Sequence, residues 1–519
     1  MNQLVTWMIF LPAAGALACL TVTADRARHV ALGTAILTFL ISCVLAIAYD
    51  TAAAGPQLVT AVDWIDAINA QYRVGLDGLS LPLVLLTTAL SVLVILASWS
   101  ITKHCQAYFC LYLLLLTGML GVFTALDLFL FYVFFEVSLL PMYFLIGVWG
   151  GPRKEYAAIK FFLYTLAGSI CLLIVMMGLY FITGQGGSEN TWILTGAAAG
   201  ETSLDSESIR NLFAEGGDYW TFAQWAFWLT LVAFLIKLPS VPFHTWLPDA
   251  HVEAPTPISM VLAGVLLKLG GYAMMRITWP LFPEAASTFW VCVAGIGTIS
   301  IIYGALCAMA QTDWKKLVAY SSVSHMGYVT LGLAVLNRTG FDGAYFQMIA
   351  HGITSAMMFF LVGVVYERAH HRDIERFGGL WLKWPSYGMW SVLGFFAAMG
   401  LPGLCGFIGE VLVLLGTFQA AGEGQVGADQ VWWVYLFGSL AASGVVLTAG
   451  YMLWMFRRVY MGKPRPAYDH YPPVSAREQF IMATLGIAAV IFGVLPILIF
   501  ALTDATMTDL MLTFVTKAG

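Results

Sequence analysis

The chain has 519 residues, of which 60% are hydrophobic and 10% charged, with a formal net charge of −5. Soluble domains carry about 25% charged residues, so a water-soluble globule of this size is excluded and the bilayer becomes the expected solvent. The small net charge points to no acidic or basic partner, nucleic acid included.

Apolar runs of roughly 20 residues recur along the whole length, each long enough to cross about 30 Å of hydrocarbon as a helix. A β-barrel would show short alternating segments instead. The reading is an all-α polytopic membrane protein with fourteen spans. They are expected at 4–22, 30–49, 79–99, 106–124, 127–148, 157–182, 221–250, 255–277, 288–310, 317–335, 342–365, 386–421, 432–456 and 479–501. The first run lacks a basic leading segment and reads as a retained helix, not a cleaved signal.

Span 7 contains Pro239, Pro242 and Pro248, and span 12 contains Pro402 beside Gly400, Gly403 and Gly406. Proline removes a donor and clashes with the preceding turn, so both spans should be interrupted helices. Irregular backbone at membrane depth survives only against protein or a wet cavity. The two breaks lie five spans apart, which suggests two five-helix units in opposite orientation. The expected division is 1–105 for three leading spans and an outer loop, 106–277 and 288–458 for the two inverted repeats, and 459–519 for a last helix and tail.

Sixteen of the 24 Lys and Arg follow odd-numbered spans, whereas five follow even-numbered spans or lie in the tail. The odd loops are therefore expected on the cytoplasmic or matrix side, with both termini outside. Loop 183–220 is acidic and rich in Gly and Ser, and reads as an outer cap.

Eight cysteines, at 19, 43, 105, 110, 171, 292, 307 and 405, form no CxxC pair and mostly sit inside apolar runs. They read as small packing residues. Iron–sulfur ligation needs clustered thiolates, and no dinucleotide or phosphate loop occurs in a strand–turn–helix setting. No cofactor and no metal are expected in this chain.

The informative residues are charges stranded within spans. Glu136 lies in FYVFFEVSLLP, Lys237 in FLIKLPSVPFH, Lys268 in LAGVLLKLGGY and Glu410 in LCGFIGEVLVL, with His325 and His351 in spans 10 and 11. A charge at mid-bilayer costs about 2.5–3.5 kcal/mol on insertion scales, so each needs a partner, water or a function. Burial disfavours the charged form of either sign and an opposite charge restores it, so a Glu136–Lys237 contact would act as a protonation switch. Histidine titrates near neutrality, which suits His325 and His351 to a relay. The plain alternative is structural ion pairs or lysines reaching for the interface. His244 and His251, in PFHTWLPDAHVEAPTP, flank a polar break and are expected at a cytoplasmic-side inlet or in linking helices. His370 and His371 read as solvated.

FYVFFEVSLLPMYFLIGVWG, FHTWLPDAHVEAPTPISMVLAGVLLKLGGY, TDWKKLVAYSSVSHMGY and LPGLCGFIGEVLVLLG closely resemble the antiporter-like membrane subunits of respiratory complex I, the proton-translocating NADH:quinone oxidoreductase. The likeness runs over roughly 70–460. Glu410 stands where L-like and N-like relatives usually carry lysine, which is similar to the M-like (mitochondrial chain 4) branch. No long lateral helix of the L-like kind follows span 14. The resemblance implies fourteen helices with two inverted repeats, and a non-redox translocase subunit of the bacterial inner or mitochondrial inner membrane. Glu136 would modulate Lys237, Lys268 would be the central relay, His325 and His351 would extend the polar axis, and Glu410 would lead outward. FMN, iron–sulfur clusters and quinone would belong to other subunits, and L-like and N-like neighbours would flank the chain in the bilayer. The alternatives are a subunit of a multi-subunit cation/proton antiporter, a hydrogenase-linked subunit, and a structural scaffold.

Overall fold

A computed structural model of the chain describes residues 2–184, 190–195, 202–422 and 430–515. Among these, twelve helices are long and apolar enough to cross a membrane. Two further expected spans fall short for identifiable reasons. Trp314–Ala334 (span 10) is diluted by Lys315, Lys316, Ser321, Ser322, Ser324 and His325. Span 12 is split into Pro385–Ala398 and Cys405–Gln419. All fourteen expected spans therefore correspond to helices.

The breaks fall where proline and glycine placed them. Span 7 runs as Trp220–Lys237, turns through 238–245 and resumes as Trp246–Glu253. In span 12 the connection carries Gly400 and Gly403 at φ +74° and +90°, a left-handed backbone that only glycine adopts without strain. Spans 8 (Thr256–Leu281) and 11 (Arg338–Ala369) lie at the centre, with their most apolar stretches wholly buried. Span 8 carries two π-helical turns, Leu262–Leu266 and Met274–Thr278, on either side of Lys268. Side chains start several helices: Asp313 accepts from Lys316 N, Asn337 accepts from Gly340 N, and Ser475 with Glu478 forms a capping box.

The loops sort to two ends. One gathers the loops after odd spans, tied by Arg372–Asp313 (3.0 Å), Arg458–Glu375 (3.0 Å) and Arg368–Glu478 (2.8 Å); it is the basic end. The other carries a hairpin that the sequence reading missed, strand β1 (Gln57–Ile65) paired antiparallel with β2 (Ala70–Leu76). Its turn residue Asn69 adopts φ +52°, a conformation asparagine tolerates. Searching for 20-residue apolar runs passes over strands of seven to nine residues. The described part of loop 183–220 does cover this end, where Trp192 Nε1 donates to Ile68 O at 2.8 Å and Leu194 N to Leu126 O at 2.8 Å.

Other expectations shift as well. The last span breaks after Val494, and a second helix, Ile497–Val515, follows at the hairpin end. Lys315 and Arg276, assigned to loops from sequence, lie within spans 10 and 8, Lys315 buried and the Arg276 side chain 8% exposed. His371 is not simply solvated: it stacks on Phe377 at 4.5 Å, and burial together with Arg376 holds it below the usual histidine pKa.

Candidate functional site

The buried polar groups of the central helices form a line. Lys268 Nζ lies 2.7 Å from His351 Nδ1, bridging spans 8 and 11. It also donates to Ala263 O, within the first π-helical turn. Such turns often mark functional positions. The His351 ring stands 5.7 Å from the ring of His325 in span 10. His325 Nδ1 is 3.1 Å from Glu410 Oε1, just past the break in span 12. Gln347, one turn from His351, reaches the same His325 nitrogen at 3.5 Å. All four members of the line are 4% exposed or less.

The break and Glu410 are made for each other. A Cβ at Gly400 would lie 2.7 Å from Glu410 Oε2, so the turn's glycine leaves room for the carboxylate. Gly270 plays a similar part on span 8, because a Cβ there would meet Leu238 N at 2.9 Å. Its absence lets span 8 close against the end of the helix that presents Lys237.

Lys237 and Glu136 behave differently. Lys237 is 2% exposed and its Nζ has no hydrogen-bond partner. It lies 4.4 Å from the centroid of Phe135, a cation–π contact worth about 2 kcal/mol when desolvated. Glu136 Oε1 is likewise without a hydrogen-bond partner. Among the described residues no carboxylate pairs directly with Lys237. The six charges and histidines singled out in the sequence thus divide into a connected four and a separated two.

His244 and His251 are both buried. His244 packs against Tyr303 at 5.3 Å, and His251 stacks on Phe359 at 4.3 Å with neither ring nitrogen paired. The helix after the span 7 break is anchored by Lys160–Asp249 at 2.7 Å. Among the described residues, no three His, Cys, Asp or Glu side chains gather as metal ligands. Two polar groups escaped the sequence reading. Gln347 carries no formal charge and so left no signal. The Arg276–Asp77 pair, 8% and 2% exposed, was hidden because each residue sits at the edge of an apolar run.

Two family models match the chain. Residues 125–426 match the membrane domain described as NADH:quinone oxidoreductase/Mrp antiporter, and residues 8–123 match the amino terminus of NADH-ubiquinone oxidoreductase chain 4. The NADH-quinone oxidoreductase subunit M of Rhodobacter capsulatus is 41% identical over 511 residues, covering 96% of this chain and 94% of its own. The chain belongs to the subunit M (chain 4) family of complex I. A more distant member, the chain 4 protein of Chondrus crispus, is 38% identical over 90% of this chain and 89% of its own. In structure, a chain of respiratory complex I from Thermus thermophilus with bound NADH superposes at TM-score 0.82. It is 28% identical, covering 98% of this chain and 99% of that one. A chain of the Mrp complex from Dietzia superposes at 0.80 with 22% identity, covering 98% of this chain and 55% of its own, which speaks to the fold alone.

Proposed function

We propose that this chain is a proton-translocating membrane-arm subunit of an NADH:quinone oxidoreductase, with Glu136, Lys237, Lys268, His351, His325 and Glu410 as its relay. The observation that carries this reading is the buried line from Lys268 through His351 and His325 to Glu410. Every member of that line can gain or lose a proton. When Lys268 is charged, its ammonium donates to a neutral His351 Nδ1, and the proton can cross that 2.7 Å contact. The two rings then need one bridging water or a small rotation, because Nε2 of each is unpartnered. His325 hands the proton to Glu410, whose second oxygen faces the break at Gly400.

Lys237 and Glu136 act as the switch. Bringing Glu136 onto Lys237 stabilises the ammonium; drawing it away leaves a desolvated charge that favours release of the proton toward Lys268. Redox chemistry, with FMN, iron–sulfur clusters and quinone, is assigned to other subunits. L-like and N-like membrane subunits are the expected neighbours. The repeats are taken as 106–277 and 288–458, between the leading unit 1–105 and the tail 459–519. The Lys/Arg bias places the basic end in the cytoplasm of a bacterial inner membrane and both termini in the periplasm.

The deciding measurement is NADH-driven proton uptake by inverted vesicles carrying Lys268→Ala in the assembled complex. Uptake should fall roughly 10²–10⁴-fold, the usual worth of a positioned proton-transfer group. Wild-type uptake in an assembled variant would sink the relay. A reporter fused after Arg458 that reads as periplasmic would overturn the orientation.

A further inference from the structure

At the hairpin end a cavity of about 840 Å³ opens between the β1–β2 side of the chain, the described part of loop 183–220 and the end of span 8. Its lining includes Asp205, Glu207, Glu215, Glu284 and Asp509 against Arg210, a net acidic surround that concentrates protons. Asp77 and Arg276 line it as well. From there a polar row runs inward along span 8. Lys268 and Tyr272 stand four residues apart on an α-helical stretch and so share one face, and Arg276 follows in the second π-helical turn. Arg276 Nε donates to Tyr272 Oη at 3.2 Å, and Tyr272 donates to Phe123 O at 3.0 Å. The relay lysine is thus two helical turns from an acidic, open vestibule.

The groups at the vestibule floor are unsuited to passing a proton. A guanidinium keeps its protons at any physiological pH. Asp77 Oδ2 is taken by Arg276, while Oδ1 accepts from Leu79 N at 3.1 Å and Ser80 N at 2.9 Å. The loop holding Asp77 is pinned in turn by Tyr345 Oη, which donates to Leu79 O at 2.8 Å. Both carboxylate oxygens are committed, and the one cation beside them cannot relay.

We propose that the Arg276–Asp77 pair is a seal that insulates Lys268 from the vestibule and so prevents return of protons along Tyr272. The proposal rests on Lys268 being a relay group. It assigns to Arg276 a job that only a non-titrating cation performs.

The test uses the whole complex, reconstituted in phosphatidylethanolamine–phosphatidylglycerol vesicles with a pH-sensitive dye inside. A potassium diffusion potential drives protons with no NADH present. Arg276→Lys should assemble and yet conduct protons passively several-fold faster than the unmodified complex, because lysine can shed and regain a proton. Adding Tyr272→Phe to Arg276→Lys should cut the flux back toward the unmodified level. An assembled Arg276→Lys complex as tight as the unmodified one overturns the seal, and so does a leak indifferent to Tyr272→Phe. The relay reading fails separately, if Lys268→Ala pumps normally in the NADH-driven assay.

Discussion

The two halves of the polar machinery are built differently. Across spans 8, 11, 10 and 12, Lys268, His351, His325 and Glu410 form a line, with close contacts at either end and the two histidine rings 5.7 Å apart between them. In spans 7 and 5, Lys237 and Glu136 are stranded, one over an aromatic face and the other with Oε1 unpartnered. A pair of opposite charges left apart is held against their tendency to meet, and it moves when its surroundings do. A connected row conducts without needing to move far. On the proposed function the first arrangement acts as a switch and the second as a wire, and the bistable element belongs with the switch.

The sharpest way to break this contrast is to remove the switch alone. Lys237→Ala should abolish NADH-driven pumping, by roughly 10²-fold or more, while the complex assembles as judged by native electrophoresis. Retained pumping would mean that the wire works without it. Next in size is the far end of the wire. Glu410→Ala should slow coupled NADH:quinone turnover at least tenfold, and Glu410→Lys should recover part of it, since a lysine can also carry a proton at that position. Equal loss in both variants would show that the carboxylate itself is required.

Gly400→Ala sets a β-carbon against Glu410 in a left-handed turn. Strain of about 1–3 kcal/mol should displace the carboxylate from His325 and reduce turnover by a smaller factor than Glu410→Ala does. A turnover equal to wild type would detach the break from the wire. The smallest effect is expected for Phe135→Leu, which removes the ring from Lys237 but keeps the apolar wall. Pumping should persist, reduced less than tenfold, with an altered pH profile of proton uptake. A loss as large as that of Lys237→Ala would make the ring, and not the separation from Glu136, the element that holds the switch.

Much of this molecule is written locally in its sequence. Hydropathy sets where each helix begins and ends, because every backbone group in lipid must be satisfied within its own segment. Pro239 and Pro242 in one span and Gly400 and Gly403 in another announce their breaks, since the constraint acts on neighbouring backbone. Glu136, Lys237, Lys268 and Glu410 stand out because a charge in a lipid-length run is costly wherever it points.

What tertiary structure alone decided is who meets whom. Lys268 finds His351 across 83 residues, and Arg276 finds Asp77 across 199. No periodicity encodes those separations. The expected Glu136–Lys237 contact, plausible from charge, is open in the fold, whereas Arg276, counted as a loop residue, proves to be buried in an ion pair. The hairpin was missed because short strands need a partner before their pattern means anything. Sequence determines the spans and the price of each buried charge; packing determines the partner, because side chains distant in the chain meet only when the helices assemble.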